Sequence, residues 1–112
     1  MGCTDTLETP KPAWRKRKED YIAHLPKLSP SIRLVSASDK LHNVRSILRD
    51  YRLQGEMLWK RFNGGKEGTL WYYRALVNTF LKVEGNALVA ELDRTVSEIE
   101  RLSKAKQTSS NT

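Results

Sequence analysis

Asp39, Asn43 and Ser46 are the residues of this chain whose types and spacing could do chemistry together. They lie in SASDKLHNVRS, residues 36–46, where six of the eight residues from Asp39 to Ser46 are polar. Helix residues advance by about 100° each, which brings these three side chains within about 60° of one another on a single stripe. A carboxylate held against a protein wall needs a cation or hydrogen-bond donors to be tolerable, and a metal ion is one such partner. Two readings compete. The stripe is either a solvated helix face or one wall of a site.

The elements that must position the stripe are helical. Ser29-Pro30 is a strong start signal, with Ser as N-cap and Pro in the first turn, and neither Pro nor Gly recurs until Gly55. Leu34, Ala37, Leu41, Val44, Leu48 and Tyr51 recur at spacings of three and four and predict an amphipathic helix over about 31–53. Ile32 and Val35 fall instead on the Asp39 stripe, with Ile47 close to it, and Ser36, Ala37 and Ser38 are small. A helix apolar on two sides is expected to be central, with Asp39 and Asn43 embedded in its second side.

Around it, residues 1–12 with their two prolines predict an extended loop leading into the helices, and residues 13–25 a helix ended by Pro26. Met57, Leu58, Trp59 and Phe62 predict a helical turn broken at Asn63-Gly64-Gly65. Helices are expected over 66–82 and 87–103, separated by Gly85-Asn86, with residues 104–112 a disordered tail. The fold class is therefore all-α, a bundle of four or five helices over residues 13–103.

Composition bounds the function. The 112 residues are 38% hydrophobic and 29% charged, with a net charge of +7. A basic balance suits nucleic acid, an anionic surface or a polyanionic small substrate, and does not choose among them. The single cysteine, Cys3, excludes an internal disulfide framework and fits a reducing cytoplasm. No apolar run approaches the ~20 residues of a membrane span. Met1-Gly2-Cys3-Thr4-Asp5-Thr6 fits the short M-G-x-x-x-[ST] myristoylation pattern.

The segment Asp39-Lys40-Leu41-His42-Asn43-Val44-Arg45-Ser46 resembles the final metal-ligand helix of HD-domain phosphohydrolases, L-A-D-[RK]-L-H-N-x-R-[TS]-L, of the RelA/SpoT kind that hydrolyse ppGpp. Thr69-Leu70-Trp71-Tyr72-Tyr73-Arg74-Ala75-Leu76 is similar to that family's T-L-x-I-Y-A-P-L helix. Gly2 to Asp5 and Pro10 to Lys18, with Tyr21-Ile22, resemble a region that in the family follows the helices bearing the first ligands. The resemblance covers roughly residues 2–82. It implies the C-terminal portion of an HD-domain fold and makes the myristoylation match accidental.

In the family a His, a His-Asp pair and a distal Asp hold a divalent metal, usually manganese, which polarises the scissile phosphate and activates water. The resemblance implies Asp39 as the distal metal ligand. Asn43 and Ser46 would reach the ribose or nucleotide, Tyr73 would line the pocket, and Lys40 is a further substrate contact, with Arg45 beside it. This chain carries two histidines, His24 and His42, and no His-Asp doublet. The expectation is a C-terminal part lacking most of the metal site and inactive alone, its site completed by an N-terminal segment or a second copy. The alternatives are a non-catalytic helical interaction or dimerisation module and, less favoured, a basic nucleic-acid-binding bundle.

Other candidates have plainer readings. His42 flanks the stripe and is expected to pack; His24 suits a helix C-terminus. Arg15-Lys16-Arg17-Lys18, followed by Glu19-Asp20, reads as a solvated helix face. Trp59, Trp71, Tyr72 and Phe80 read as core, and Gly64-Gly65-Lys66 lacks a P-loop frame.

Overall fold

The computed structural model describes the backbone of residues 10–83 and 85–111, and the side chains of 13–83 and 85–104. Helix α1 spans Pro10–His24, α2 Pro30–Gln54, α3 Gly65–Val83 and α4 Ala87–Asn111, with 3₁₀ segments at Leu25–Lys27 and Gly55–Arg61. No strand occurs among the described residues, so the chain is all-α. The myristoylation pattern and most of the expected leading loop, residues 1–9, lie outside those described.

The start signals act as their chemistry requires. Ser29 caps α2, its Oγ accepting from the Ile32 N–H at 3.4 Å, with Pro30 in the first turn. Asn86 caps α4 through Oδ1, which accepts from the Val89 N–H at 2.9 Å. Helix α2 stops at Gly55, whose φ of +67° only glycine adopts freely. Two ends differ from expectation. Helix α1 already includes Pro10 and Pro12, because a helix's first turn makes no demand on the N–H that proline lacks. Helix α4 runs to Asn111 rather than stopping at Ser103, since Lys104-Ala105-Lys106-Gln107 are good helix formers with no breaker among them.

The core is one cluster. Leu41, Val44, Ile47 and Tyr51 of α2 meet Leu76, Val77 and Phe80 of α3 and Val89, Leu92, Val96 and Ile99 of α4. Leu25, Leu58 and Trp59 close its ends from the 3₁₀ segments. Trp71, expected with the core, is only half-buried, whereas Tyr72 and Phe80 are buried. Trp14 of α1 lies edge-on to Trp71 and Tyr72, with ring centroids 6.3 and 6.4 Å away. The same ring covers Gly64 and Gly68, where a Cβ would collide with it or crowd it. Gly64 and Gly68 thus let Trp14 seat α1 against the start of α3.

Charged pairs report the directions of the helices. Arg45 pairs with Glu91 at 3.4 Å and Arg52 with Glu98 at 3.6 Å, a step of seven residues on both helices, so α2 and α4 run parallel along this seam. Arg74 of α3 reaches Asp93 at 2.9 Å and Glu100 at 2.8 Å, and donates to Ser97 Oγ at 2.9 Å. Lys66, one helical stretch before Arg74, reaches the Ser103 carbonyl at 3.4 Å, so α3 and α4 are antiparallel.

Candidate functional site

The Asp39 stripe faces outward. Ile32 and Val35 on it are 55% and 68% exposed and the Asp39 side chain is 64% exposed, while Leu34, expected on the core side, is 48% exposed as well. The expectation of an embedded second side is therefore corrected: α2 buries its Ala37, Leu41, Val44 side and leaves the other apolar stripe open at its N-terminal half. Hydrophobic periodicity marks both sides alike; only the placement of α1, α3 and α4 decides which is covered. His42, expected to pack, is likewise exposed. Leu34, Val35, Ser38, Asp39 and His42 line an open groove of ≈ 580 Å³.

On the flank of this groove three helices converge. Lys40, whose side chain is only 16% exposed, lies 3.9 Å from Asp39 and holds its ammonium 5.0 Å from the Tyr21 ring centroid and 6.0 Å from that of Tyr72. The hydroxyl of Tyr21, from α1, hydrogen-bonds Ser36 of α2. Lys18, one turn before Tyr21, sets its ammonium 4.6 Å from the Tyr72 centroid and 5.9 Å from that of Trp14. Tyr72 thus carries two cations beside its π system, where its quadrupole favours them.

Electrostatics follow from this crowding. Burial lowers the pKa of Lys18, and the charges of Lys40 and Arg17 lower it further. Burial raises the Tyr72 phenol well above its usual range, and the nearby Tyr73, Tyr21 and Asp39 add to the shift. Tyr73 is raised chiefly by burial; the Asn43 side chain at its hydroxyl opposes that shift and Asp39 reinforces it.

Of the residues singled out in the sequence, Asp39, Lys40, Asn43 and Tyr73 therefore share one neighbourhood at the α2–α3 junction. Ser46 is half-buried, two turns (~10.5 Å) beyond Asp39 on the same stripe. Arg45 leaves the group to pair with Glu91. Lys18, Tyr21, Ser36 and Tyr72 belong to the neighbourhood and were not singled out as site residues. The spacing of Lys18 and Tyr21, three apart and so on one helix face, was the available signal. Arg15 likewise leaves the expected solvated face in part, its guanidinium 3.6 Å from the Trp71 centroid, while Lys16 pairs with Asp20 at 3.5 Å.

A catalytic metal takes about three protein ligands. Among the described residues no group of three His, Cys, Asp or Glu side chains converges, and the nearest charged neighbour of Asp39 is the cation Lys40. These residues do not by themselves fit a divalent metal such as manganese; Asp39 offers one carboxylate. What the arrangement can do unaided is hold an anion beside lysines and hydrogen-bond a polar ligand through Asn43 and Tyr73.

No protein-family model matches the chain, and no curated protein matches its sequence. Among the described residues no helix is long and apolar enough to cross a membrane.

Proposed function

We propose that this chain supplies one wall of an HD-type, metal-dependent phosphohydrolase site for nucleotide polyphosphates such as ppGpp, and that it does not turn substrate over alone. The reading is carried by the meeting of Asp39, Lys40, Asn43 and Tyr73 at an open face of α2. The sequence around them is the D-K-L-H-N-x-R-S run that resembles the family's distal ligand helix. In this reading Asp39 is one metal ligand, Lys40 offsets phosphate charge, Asn43 and Tyr73 hold the nucleoside, and Ser46 extends the contact along the stripe. The remaining ligands come from a complementing N-terminal segment or a second copy, seated against Ile32, Leu34 and Val35.

Binding tests this without turnover. Titration with ppGpp, followed by amide NMR, should perturb Asn43, Ser46 and Tyr73, and Asn43→Ala should weaken binding about tenfold, as loss of a good hydrogen bond does. No response at those positions up to millimolar ppGpp would retire the reading. With manganese, the chain alone should release no pyrophosphate from ppGpp. Addition of a segment bearing His and His-Asp ligands should produce release that Asp39→Ala abolishes.

A second reading, a non-catalytic helical interaction module, is favoured by the exposure of Ile32 and Val35. It predicts concentration-dependent association in sedimentation velocity that Val35→Asp disrupts. A nucleic-acid-binding role has less support. Arg15 and Lys16 of the basic run are paired with Glu19 and Asp20, at 3.1 and 3.5 Å.

A further inference from the structure

Among the described residues, many of the cations that bridge helices or turns have a close carboxylate. Arg15 has Glu19 at 3.1 Å, Arg61 has Asp50 at 2.9 Å, Lys66 has Glu56 at 3.0 Å and Arg74 has two acids within 2.9 Å. Lys18 and Lys40 are distinguished by converging on one aromatic ring, that of Tyr72. The contacts of the Lys18 ammonium among the described residues are the rings of Tyr72 and Trp14. Lys40 has Asp39 at 3.9 Å, the limit of an ion pair, and otherwise Tyr21 and Tyr72. The two ammonium groups come from different helices, are partly withdrawn from water, and approach the same buried tyrosine at 4.6 and 6.0 Å.

Two like charges brought together where water is partly excluded repel, and desolvation adds to the cost. A ring face recovers part of it, since a cation–π contact is worth about 0.5–2 kcal/mol. An anion seated between the two recovers more, because both lysines then make charge-assisted hydrogen bonds. A single carboxylate at the edge of the pair leaves room for such a group.

We propose that Lys18 and Lys40 form an oxyanion site beside the Tyr72 ring, selective for a phosphoanhydride: a pyrophosphate or the diphosphate of a nucleotide. Lys40 approaches from the Asp39 side and Lys18 from α1, so a diphosphate spans the pair with one phosphoryl on each ammonium. Tyr21, hydrogen-bonded to Ser36, lies beside Lys40 with its ring centroid 5.0 Å from the ammonium. Lys18 is in this sense a specificity residue: it rewards a second phosphoryl group that Lys40 cannot reach. That the natural ligand is a nucleotide rests on the function proposed above; the two-lysine site does not, and the experiment separates them.

The test is an NMR and thermal-shift titration of the full chain with inorganic pyrophosphate, inorganic phosphate and GDP at constant ionic strength, set with sodium chloride. Pyrophosphate should raise the thermal midpoint and shift resonances of Lys18, Tyr21, Lys40 and Tyr72, binding more tightly than phosphate. Lys18→Met and Lys40→Met, which keep the apolar stem, should each weaken pyrophosphate binding about tenfold, the worth of a lost charge-assisted hydrogen bond. Lys18→Arg should restore it, which shows that charge and not packing is at stake. Lys16→Met, removing an equal charge from the exposed face of the same helix, should leave binding within about twofold.

Pyrophosphate binding no stronger than chloride-matched controls, or equal losses in Lys18→Met and Lys16→Met, would overturn the proposal. So would a Lys18→Arg variant that folds but does not bind. GDP binding as tightly as pyrophosphate or more tightly, with added shifts at Asn43 and Tyr73, supports the site with a nucleotide as its ligand. Pyrophosphate binding without any GDP response at Asn43 and Tyr73 supports the two-lysine site and removes the nucleotide reading instead.

Discussion

The seams made by α4 and the junction of α1, α2 and α3 are built from the same residue types to opposite ends. Along α4, cations and acids alternate so that each finds its complement. Glu91 pairs with both Arg45 and Arg94, Glu98 with Arg52 and Arg101, and Asp93 and Glu100 with Arg74. Beneath these pairs lie Leu92, Val96 and Ile99, all buried. At the other junction two lysines share a tyrosine, an aspartate is turned outward, and isoleucine, leucine and valine stand exposed one or two turns away. Satisfied charge over a closed core marks a seam that holds the fold. Loosely paired charge beside open apolar surface marks a face that the described helices leave uncovered.

That contrast breaks most severely in the core. Phe80, fully buried, should cost about 3–5 kcal/mol on truncation to alanine, whereas Val35→Ser on the open face should stay within about 0.5 kcal/mol. Urea denaturation measures both, and a large loss at Val35 would mean that the face is covered. Next comes Arg74, less than a third exposed and linked to three side chains of α4. Arg74→Met should cost about 1 kcal/mol, because Asp93 and Glu100 lose their cation but remain within reach of water.

The smallest effect is one of pH. Burial raises the Glu56 carboxyl, but hydrogen bonds from Tyr51 and Lys66 outweigh it, and its pKa lies below the usual value of about 4.5. A depressed carboxyl binds fewer protons folded than unfolded, so its contribution is present above that ordinary value and is lost as pH falls through the folded pKa. Stability should therefore decline more steeply on acidification in the wild type than in Glu56→Gln. Acid titrations followed by circular dichroism check this, and equal slopes for the two proteins would reject this origin.

The helices themselves were legible because their signals are local. Ser29-Pro30 starts α2, Gly55 ends it and Asn86 caps α4, each through a backbone requirement that a residue meets without reference to the rest of the chain. The lengths of α1 and α4 were less so. Pro10 reads as a loop former until its place in a first turn is known, and a polar tail gives no apolar period whether or not it is helical.

The candidate site divides in the same way. That Asp39, Asn43 and Ser46 share a stripe follows from the helical repeat alone, and the resemblance attached to them needs only their order in the chain. Which way the stripe faces, and that Asn43 meets Tyr73, depend on how α2 is rotated against α3, which no local pattern encodes. The same holds for Arg15-Lys16-Arg17-Lys18. Four consecutive cations are alike as sequence, and α1 carries no apolar face strong enough to orient them. Trp14, seated on Gly64 and Gly68, sets the rotation of α1 and so turns Lys18 toward Tyr72. Sequence by itself determined the elements and the spacing of polar groups along each, because both follow from the geometry of one helix. Tertiary structure alone decided which of those groups meet, because that is set by close packing between residues far apart in the chain.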